Sequence, residues 1–218
     1  MKTLTEENYL KTLLSLSGDS GEVNVSALAK KLNITLPTVT SMMKKLAKKR
    51  FVQYKAYKPL RLTAKGRAEA LLITRKHRLI EMFLVEKMKF RWEEVHEVAE
   101  QIEHVQAPHF FERMDEMLGF PKIDPHGEAI PGRDGTVLST SHHKLSSYKA
   151  GDIVKLHAVA DSSAEFLKFL SSRGLRLGLK ILVRSVEPID GSMLISFGKR
   201  SREMFSNTIC DRLLVEEV

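Results

Sequence analysis

The 218 residues carry 35 Lys/Arg against 27 Asp/Glu, a formal charge of +8, with 43% hydrophobic and 28% charged residues. That balance suits a folded globular chain and excludes global disorder; no apolar run approaches the roughly 18–20 residues that span a bilayer, and the opening MKTLTEENYLK lacks the basic-then-apolar order of a signal peptide. A single cysteine, Cys210, excludes an internal disulfide framework and leads to the expectation of a reducing, cytoplasmic compartment.

In chain order, Thr5 is expected to cap a helix over Glu6–Ser17, broken by Gly18, Asp19, Ser20 and Gly21. Ser26 is expected to cap a short helix, Ala27–Leu32. A turn, Asn33–Leu36, leads to Pro37, which suits the first position of the next helix. That helix reads PTVTSMMKKLAKKR, with Val39, Met42, Met43 and Leu46 inward and Thr38, Ser41, Lys44, Lys45 and Lys48 outward. Phe51–Tyr57 and Leu60–Thr63, joined at Lys58–Pro59, predict a two-stranded wing. A long helix runs from Ala64 to about Met88, and Arg91 to about Met117 reads helical again, interrupted near Ala107–Pro108. Beyond Gly119 the chain turns to proline and glycine. From Leu145 it breaks into short strands at Asp152–Val159, Lys180–Val186, Met193–Phe197 and Arg212–Glu216. A helix, Ser163–Arg173, ended by Gly174, interrupts them, and the whole reads as a small β-barrel. The expected domains are 1–75, 76–143 and 144–218.

Charge is unevenly divided. Residues 1–76 carry 16 Lys/Arg and 5 Asp/Glu, whereas 77–120 carry 5 and 10. A basic N-terminal third suits phosphate backbones. An acidic, histidine-bearing middle suits divalent cations. Two helices, a tight turn and a basic wing describe a winged helix-turn-helix, whose second helix enters the major groove by its N-terminal residues. Thr38, Thr40 and Ser41 lie at that end, with Ser26, Thr35 and Pro37 completing the candidate contacts. Lys44, Lys45, Lys48, Arg50 and Lys58 supply phosphate neutralisation, so double-stranded DNA is the expected partner, with modest base readout and strong salt dependence. A basic hairpin that binds protein is the competing reading.

His96, Glu100, Glu103 and His104 have offsets of 0, 4, 7 and 8, which fall on one narrow helical face. Carboxylate with imidazole suits manganese, iron(II), cobalt, nickel or zinc. His77 and Glu81 form an i,i+4 pair on the preceding helix, and the two sets converge if those helices pack antiparallel. A solvated polar face is the plainer alternative.

Across EENYLK, VSALAKKLNITLPTVTSMMKKLAKK, LRLTAKGRAEA, RKHRLIEMFL, HEVAEQIEHV and PHGEAIPG, the sequence resembles the diphtheria-toxin-repressor and manganese-transport-regulator family of metal-dependent repressors. The resemblance implies a mainly α winged helix-turn-helix with a helical dimerisation domain, then an SH3-like (FeoA-type) barrel. It also implies two metal sites. One uses Glu100, Glu103, His104 and the side chain of Asn8. The other uses His77, Glu81 and His96, with His126 and Asp124 of the PHG segment and Asp161 and Glu165 of the barrel. Iron-sensing members carry Cys at the place of Glu100 and Met at that of Asn8, whereas manganese-sensing members carry Glu and Asp there. Lys11 stands where compact manganese-sensing members have a metal-binding Glu, and Asp124 where some longer members have Cys. Glu100 is a hard ligand, so Mn²⁺ is expected, with Fe²⁺ the alternative.

The expected function is therefore a metal-dependent transcriptional repressor in which metal fixes the recognition helices of a homodimer on a palindromic operator. A winged-helix regulator answering a non-metal signal is the alternative. Surplus apolar residues, among them Met82, Phe83, Phe110, Met117 and Phe120, are expected to supply part of a subunit interface. No membrane is expected. HEVAEQIEH is not H-E-x-x-H, and neither a nucleophile elbow nor a phosphate-binding glycine loop occurs, so an enzyme is not expected.

Overall fold

The computed structural model describes residues 3–18, 20–138 and 142–218, without the side chain of Ser201. The chain divides into two compact units. The first comprises Met1–His77, Glu100–Glu112 and Pro131–Val137, and the second comprises Arg78–Ala99, Arg113–Ile130 and Leu138–Val218.

In the first unit α1 (Leu4–Ser17), α2 (Val25–Leu32) and α3 (Leu36–Lys48) precede a wing of β1 (Val52–Gln53) and β2 (Arg61–Leu62). The helices close on Leu10, Leu13, Leu28, Val39, Met43 and Leu46, all fully or almost fully buried. Helix α1 starts earlier than the Thr5 cap predicts. Thr3 Oγ1 accepts from Glu6 N (3.3 Å) and Glu6 Oε2 accepts from Thr3 N (3.1 Å), a reciprocal capping box that Thr5 could not form with residue 6. Asn24, not Ser26, occupies the cap position of α2. Asn33 ends α2 in the left-handed region (φ 52°), and Thr35 caps α3 by accepting from Thr38 N, with proline in the first turn. The wing strands pair antiparallel, Val52 with Leu62 and Gln53 with Arg61. They are shorter than expected because Tyr57 turns at φ 62° and Pro59 cannot donate to a ladder.

The long α4 (Ala64–Glu86) begins where Thr63 Oγ1 accepts from Gly66 N. Its residues through His77 belong to the first unit. α5 (Val95–Ile102) and α6 (Pro108–Met117) follow, with the break at the expected Ala107–Pro108 and the first helix starting later than Arg91. Pro108 opens α6, where the missing N–H leaves no bond unmade.

The second unit contains a six-stranded antiparallel sheet in the order β3-β8-β4-β5-β6-β7. The strands are β3 (His143–Lys144), β4 (Ile153–Val159), β5 (Lys180–Val186), β6 (Met193–Phe197), β7 (Arg200–Phe205) and β8 (Leu213–Glu217). α7 (Ala164–Arg173) is capped by Ser163 and ended by Gly174 in the left-handed region (φ 75°). Leu156, Leu170, Ile181, Ile195, Leu213 and Val215 fill the sheet's inner face. Two strands were not foreseen, β3 and β7, and both lie at sheet edges. Edge strands commonly carry charged side chains that deter further pairing, and the arginines and glutamate of RSREMF leave no hydrophobic alternation to announce it. Arg200 and Arg202 lie in this strand. Cys210 sits on a four-residue helix, α8 (Asn207–Cys210), fully buried, and burial pushes its thiol up to about 12.

Candidate metal centre and nucleic-acid interface

Each unit holds a set of ligand-capable side chains whose donor atoms lie within 4.8 Å of one another: His77, Glu100 and Glu103 in the first, Glu81, Asp124 and His126 in the second.

The first set meets α1. Glu7 and Lys11, one turn apart, face the 100–112 segment. Lys11 Nζ donates to Glu100 Oε1 at 2.5 Å and to both oxygens of the fully buried Glu103 at 2.7 and 2.8 Å. His77 Nδ1 lies 2.5 Å from Glu103 Oε2. His104 turns its Nδ1 to Glu7 Oε2 at 2.7 Å, leaving Nε2 3.6 Å from Glu103 Oε1, and Gln106 Nε2 donates to Glu7 Oε1 at 3.3 Å. Asn8 Oδ1 is buried with no hydrogen-bond partner among the described residues. The expected set of Asn8, Glu100, Glu103 and His104 is thus present in one unit, but an ammonium group stands between its carboxylates. An ammonium has three N–H donors, and here all three are directed at Glu100 and Glu103. These residues, as they stand, do not fit a divalent cation. Glu7 was missed by sequence reasoning, and the partnership of Lys11 with residues 89 and 92 positions away was not legible. The i,i+4 spacing of an acid and a base on α1 was the only available signal.

The second set fits better. Asp124 and His126 lie on the loop after α6, and Glu81 on α4; all three are buried. Asp124 Oδ1 accepts from His126 N (2.8 Å) and Glu128 N (2.9 Å), which fixes the carboxylate. Among the described residues Asp124 Oδ2 has no hydrogen-bond partner, although Arg78 Nε approaches it to 3.5 Å. His126 Nε2 lies 2.8 Å from the carbonyl of Trp92, which can only accept, so this nitrogen carries a proton. In the neutral ring the Nδ1 lone pair then faces Glu81 Oε2, 3.6 Å away. A ligating histidine ordinarily has its second nitrogen held by such a carbonyl. Burial, reinforced by Glu128 and Glu81, pushes the Asp124 carboxyl up to about 6. Burial lowers the His126 pKa, but the hydrogen bond and charge of Glu81 outweigh it and the net direction is upward. Half-exposed His96 reaches Glu81 Oε1 at 3.3 Å, at the rim of the set.

The barrel residues do not join. Asp161 accepts from Ser163 N and from Arg212, each at 2.9 Å, and Glu165 is exposed in the first turn of α7. Neither belongs to a ligand-capable group among the described residues. His142 stacks on His157 with ring centroids 4.1 Å apart.

On the DNA-reading side, Ser26, Thr35, Pro37, Thr38, Ser41, Lys44, Lys45, Lys48, Arg50 and Lys58 are exposed, and Thr40 is half-buried. Lys45 and Lys49 also ion-pair with buried Glu6, at 3.1 and 2.7 Å. Arg50 adopts φ 62° in the turn between α3 and the wing.

The chain matches known protein families along its length. Residues 1–60 match the model of the N-terminal DNA binding domain of iron dependent repressors, 63–132 that of their metal binding and dimerisation domain, and 143–217 that of the FeoA domain. The chain is 30% identical over 188 residues to a diphtheria toxin repressor of Corynebacterium efficiens, covering 81% of each chain. It is 34% identical over 128 residues to the iron-dependent repressor IdeR of Mycobacterium leprae, covering 59% of this chain and 56% of that one. The match thus spans little more than half the length of that relative. Among solved structures, a manganese-dependent transcriptional repressor in complex with manganese is similar, with TM-score 0.88, 28% identity, and 98% and 100% of the two chains covered. The apo form of the manganese-activated repressor ScaR is similar at TM-score 0.80 and 30% identity, with 97% and 100% covered.

Proposed function

Because this chain belongs to the iron-dependent repressor family, which is one of transcriptional repressors and not of enzymes, we propose that it is a divalent-metal-dependent DNA-binding repressor acting as a homodimer. Residues 1–75 read DNA, 76–143 bind metal and dimerise, and 144–218 form the FeoA-type domain. The observation that carries the metal reading is the buried set of Glu81, Asp124 and His126. It has one carboxylate oxygen without a hydrogen-bond partner and an imidazole fixed by a backbone carbonyl.

Glu81, Asp124 and His126 would hold the ion, with His96 at the rim. Bound there, a divalent cation neutralises two buried carboxylates that otherwise repel. Trp92 and the two backbone N–H groups keep the donors oriented whether or not the ion is present. The donors are oxygen and imidazole, with no thiolate, and Cys210 is buried in the sheet core with its thiol protonated. Hard donors favour Mn²⁺, with Fe²⁺ the alternative. Exposed Phe110, Met117 and Phe120 are candidates for the subunit interface. A two-fold dimer reads a roughly palindromic operator in double-stranded DNA. No described helix is long and apolar enough to cross a membrane, and the proposed location is cytoplasmic.

The test is a titration of metal-free protein, under anaerobic conditions, with Mn²⁺ and Fe²⁺. The indole of Trp92 stacks on His126 with centroids 6.1 Å apart, so its fluorescence reports the site. DNA selected from a random pool then gives affinity with metal and with chelator. Saturable binding that is lost in His126→Ala, with DNA affinity that needs metal, is expected. DNA binding indifferent to chelator would point to a non-metal signal and overturn the reading.

A further inference from the structure

We propose that the Lys11 ammonium is the resident cation of the first unit: it latches α1 to the 100–112 segment without metal and keeps divalent ions from the Glu100–Glu103 pair. The consequence for signalling, that metal dependence is carried by Glu81, Asp124 and His126, rests on the function proposed above.

The pairing between the two segments is reciprocal. On α1 an acid, Glu7, meets a base, His104, and one turn on a base, Lys11, meets two acids, Glu100 and Glu103. Opposite charges meet at Lys11 and a carboxylate meets an imidazole at Glu7, so side chains set the alignment of α1 on this segment. Sliding α1 by a turn in one direction would bring Glu7 against the two acids, and in the other would bring Lys11 against the histidine. Most of the groups are well shielded: the side chains of Lys11, Glu103, Glu7 and His104 are 17%, 0%, 4% and 9% exposed, and only Glu100, at 35%, is partly open to solvent. Screening by salt is weak at such sites, and stripping the partner from a buried carboxylate is strongly unfavourable.

Glu103 leaves little room for a competitor. Its Oε1 accepts from Lys11 and its Oε2 from both Lys11 and His77. An ion ligated by Glu103 would approach its oxygens to about 2.0–2.2 Å, inside the shell the ammonium occupies, and would place two cations side by side. Lys11 has to leave before such an ion enters. A lysine differs from an exchangeable ion in one respect: it is covalently part of the chain, so chelators cannot remove it.

Two measurements test this on the full-length chain. Mn²⁺ bound per chain is counted by calorimetry and equilibrium dialysis for wild type, Lys11→Met and Glu103→Gln. Lys11→Met is expected to bind one more equivalent than wild type, whereas Glu103→Gln in the wild-type background leaves the count unchanged. Hydrogen exchange of metal-free protein is then followed over residues 4–17. Exchange there is expected to be more than tenfold faster in Lys11→Met, with the amides of the second unit's sheet unaffected. Equal counts in wild type and Lys11→Met overturn the proposal. So does a count that falls by one in Glu103→Gln, which requires no Lys11 variant to fold. A wild-type count of zero with one equivalent in Lys11→Met upholds the latch and sinks the function proposed for the second unit.

Discussion

Lys49, at the end of the recognition helix, donates to both oxygens of the buried Glu6 carboxylate, at 2.7 and 2.9 Å. The bond ties α3 to the first turn of α1, where Glu6 also closes the capping box with Thr3. Burial alone would raise the Glu6 pKa. Hydrogen bonds from Lys49, Thr3 N and Lys45 outweigh it and hold the carboxyl at about 2 against an ordinary 4.5. A depressed carboxylate contributes stability above its unfolded pKa and loses it as pH falls. Glu6 therefore stabilises the fold fully above pH 4.5, and this contribution disappears as pH drops towards 2. Glu6→Gln is expected to destabilise by about 1–2 kcal/mol at pH 7, the figure reduced because both lysines are partly solvated. Denaturant melts at pH 7 and pH 3 check it: the gap between wild type and variant should narrow at the lower pH.

The same contact sorts the basic residues of α3. Lys44 and Lys48 face solvent, whereas Lys45 and Lys49 also serve Glu6. Each phosphate contact releases counterions and contributes close to one unit to the slope of log affinity against log salt. Lys44→Ala and Lys48→Ala are each expected to lower that slope by about one and to weaken binding to all sequences alike. Lys49→Ala should act first on thermal stability. Equal slopes for wild type and Lys44→Ala, measured by fluorescence anisotropy on DNA duplexes, would remove Lys44 from the interface.

Much of the winged helix-turn-helix is readable from local chemistry. Pro37 near the start of α3, the inward Val39, Met43 and Leu46, and the outward threonines and lysines all stand as the periodicity requires. Glu81 is read from its i,i+4 spacing to His77, whereas Asp124 and His126 enter only through a family resemblance, because no spacing rule joins residues 45 positions apart. Asp161 followed from the same resemblance, and here its carboxylate meets Arg212 and Ser163 N instead. The Lys11 latch is a tertiary fact of the same kind. Its partners lie on a segment whose approach to α1 depends on packing, not on any local pattern.

Asp124 sets a pH dependence opposite in sign to that of Glu6. Burial and the neighbouring Glu128 and Glu81 raise its pKa from 3.8 to about 6. A raised carboxyl favours folding while protonated and loses that advantage as pH rises through the folded value. Metal-free protein is thus penalised at this site above pH 6. Asp124→Asn keeps the acceptor for His126 N and Glu128 N and removes the charge. At pH 7.5 and without metal it is expected to be more stable than wild type, by about 1–3 kcal/mol, yet to gain nothing from added Mn²⁺. In wild type, Mn²⁺ affinity should fall about a hundredfold per pH unit below 6, as the ion must displace one proton from Asp124 and another from His126. Lower stability of metal-free Asp124→Asn, or its undiminished stabilisation by Mn²⁺, would contradict both halves.

Gly127 decides whether this loop can hold its position at all. Its φ is +90°, in the region that favours glycine, and a Cβ there would lie 2.3 Å from the carbonyl oxygen of His157 and 2.5 Å from Ala158 Cα. Both are backbone atoms of β4, which cannot rotate away as a flexible side chain can. The loop is held against that strand by Val159 N donating to His126 O at 3.0 Å. Gly127→Ala must therefore shift either the strand or the loop, and the loop carries Asp124 and His126. The expected loss is about 3 kcal/mol or more, the sum of a strained φ and a backbone clash. Among molecules that still fold, Mn²⁺ affinity should drop at least tenfold, because the displaced His126 loses its bond to the Trp92 carbonyl and with it the aim of Nδ1. Thermal melts and the Trp92 titration read the two effects separately. A variant that melts like wild type would show that the approach of Gly127 to β4 is looser than described. One that melts lower but binds Mn²⁺ normally would show that the loop's seat on β4 does not position the ligands.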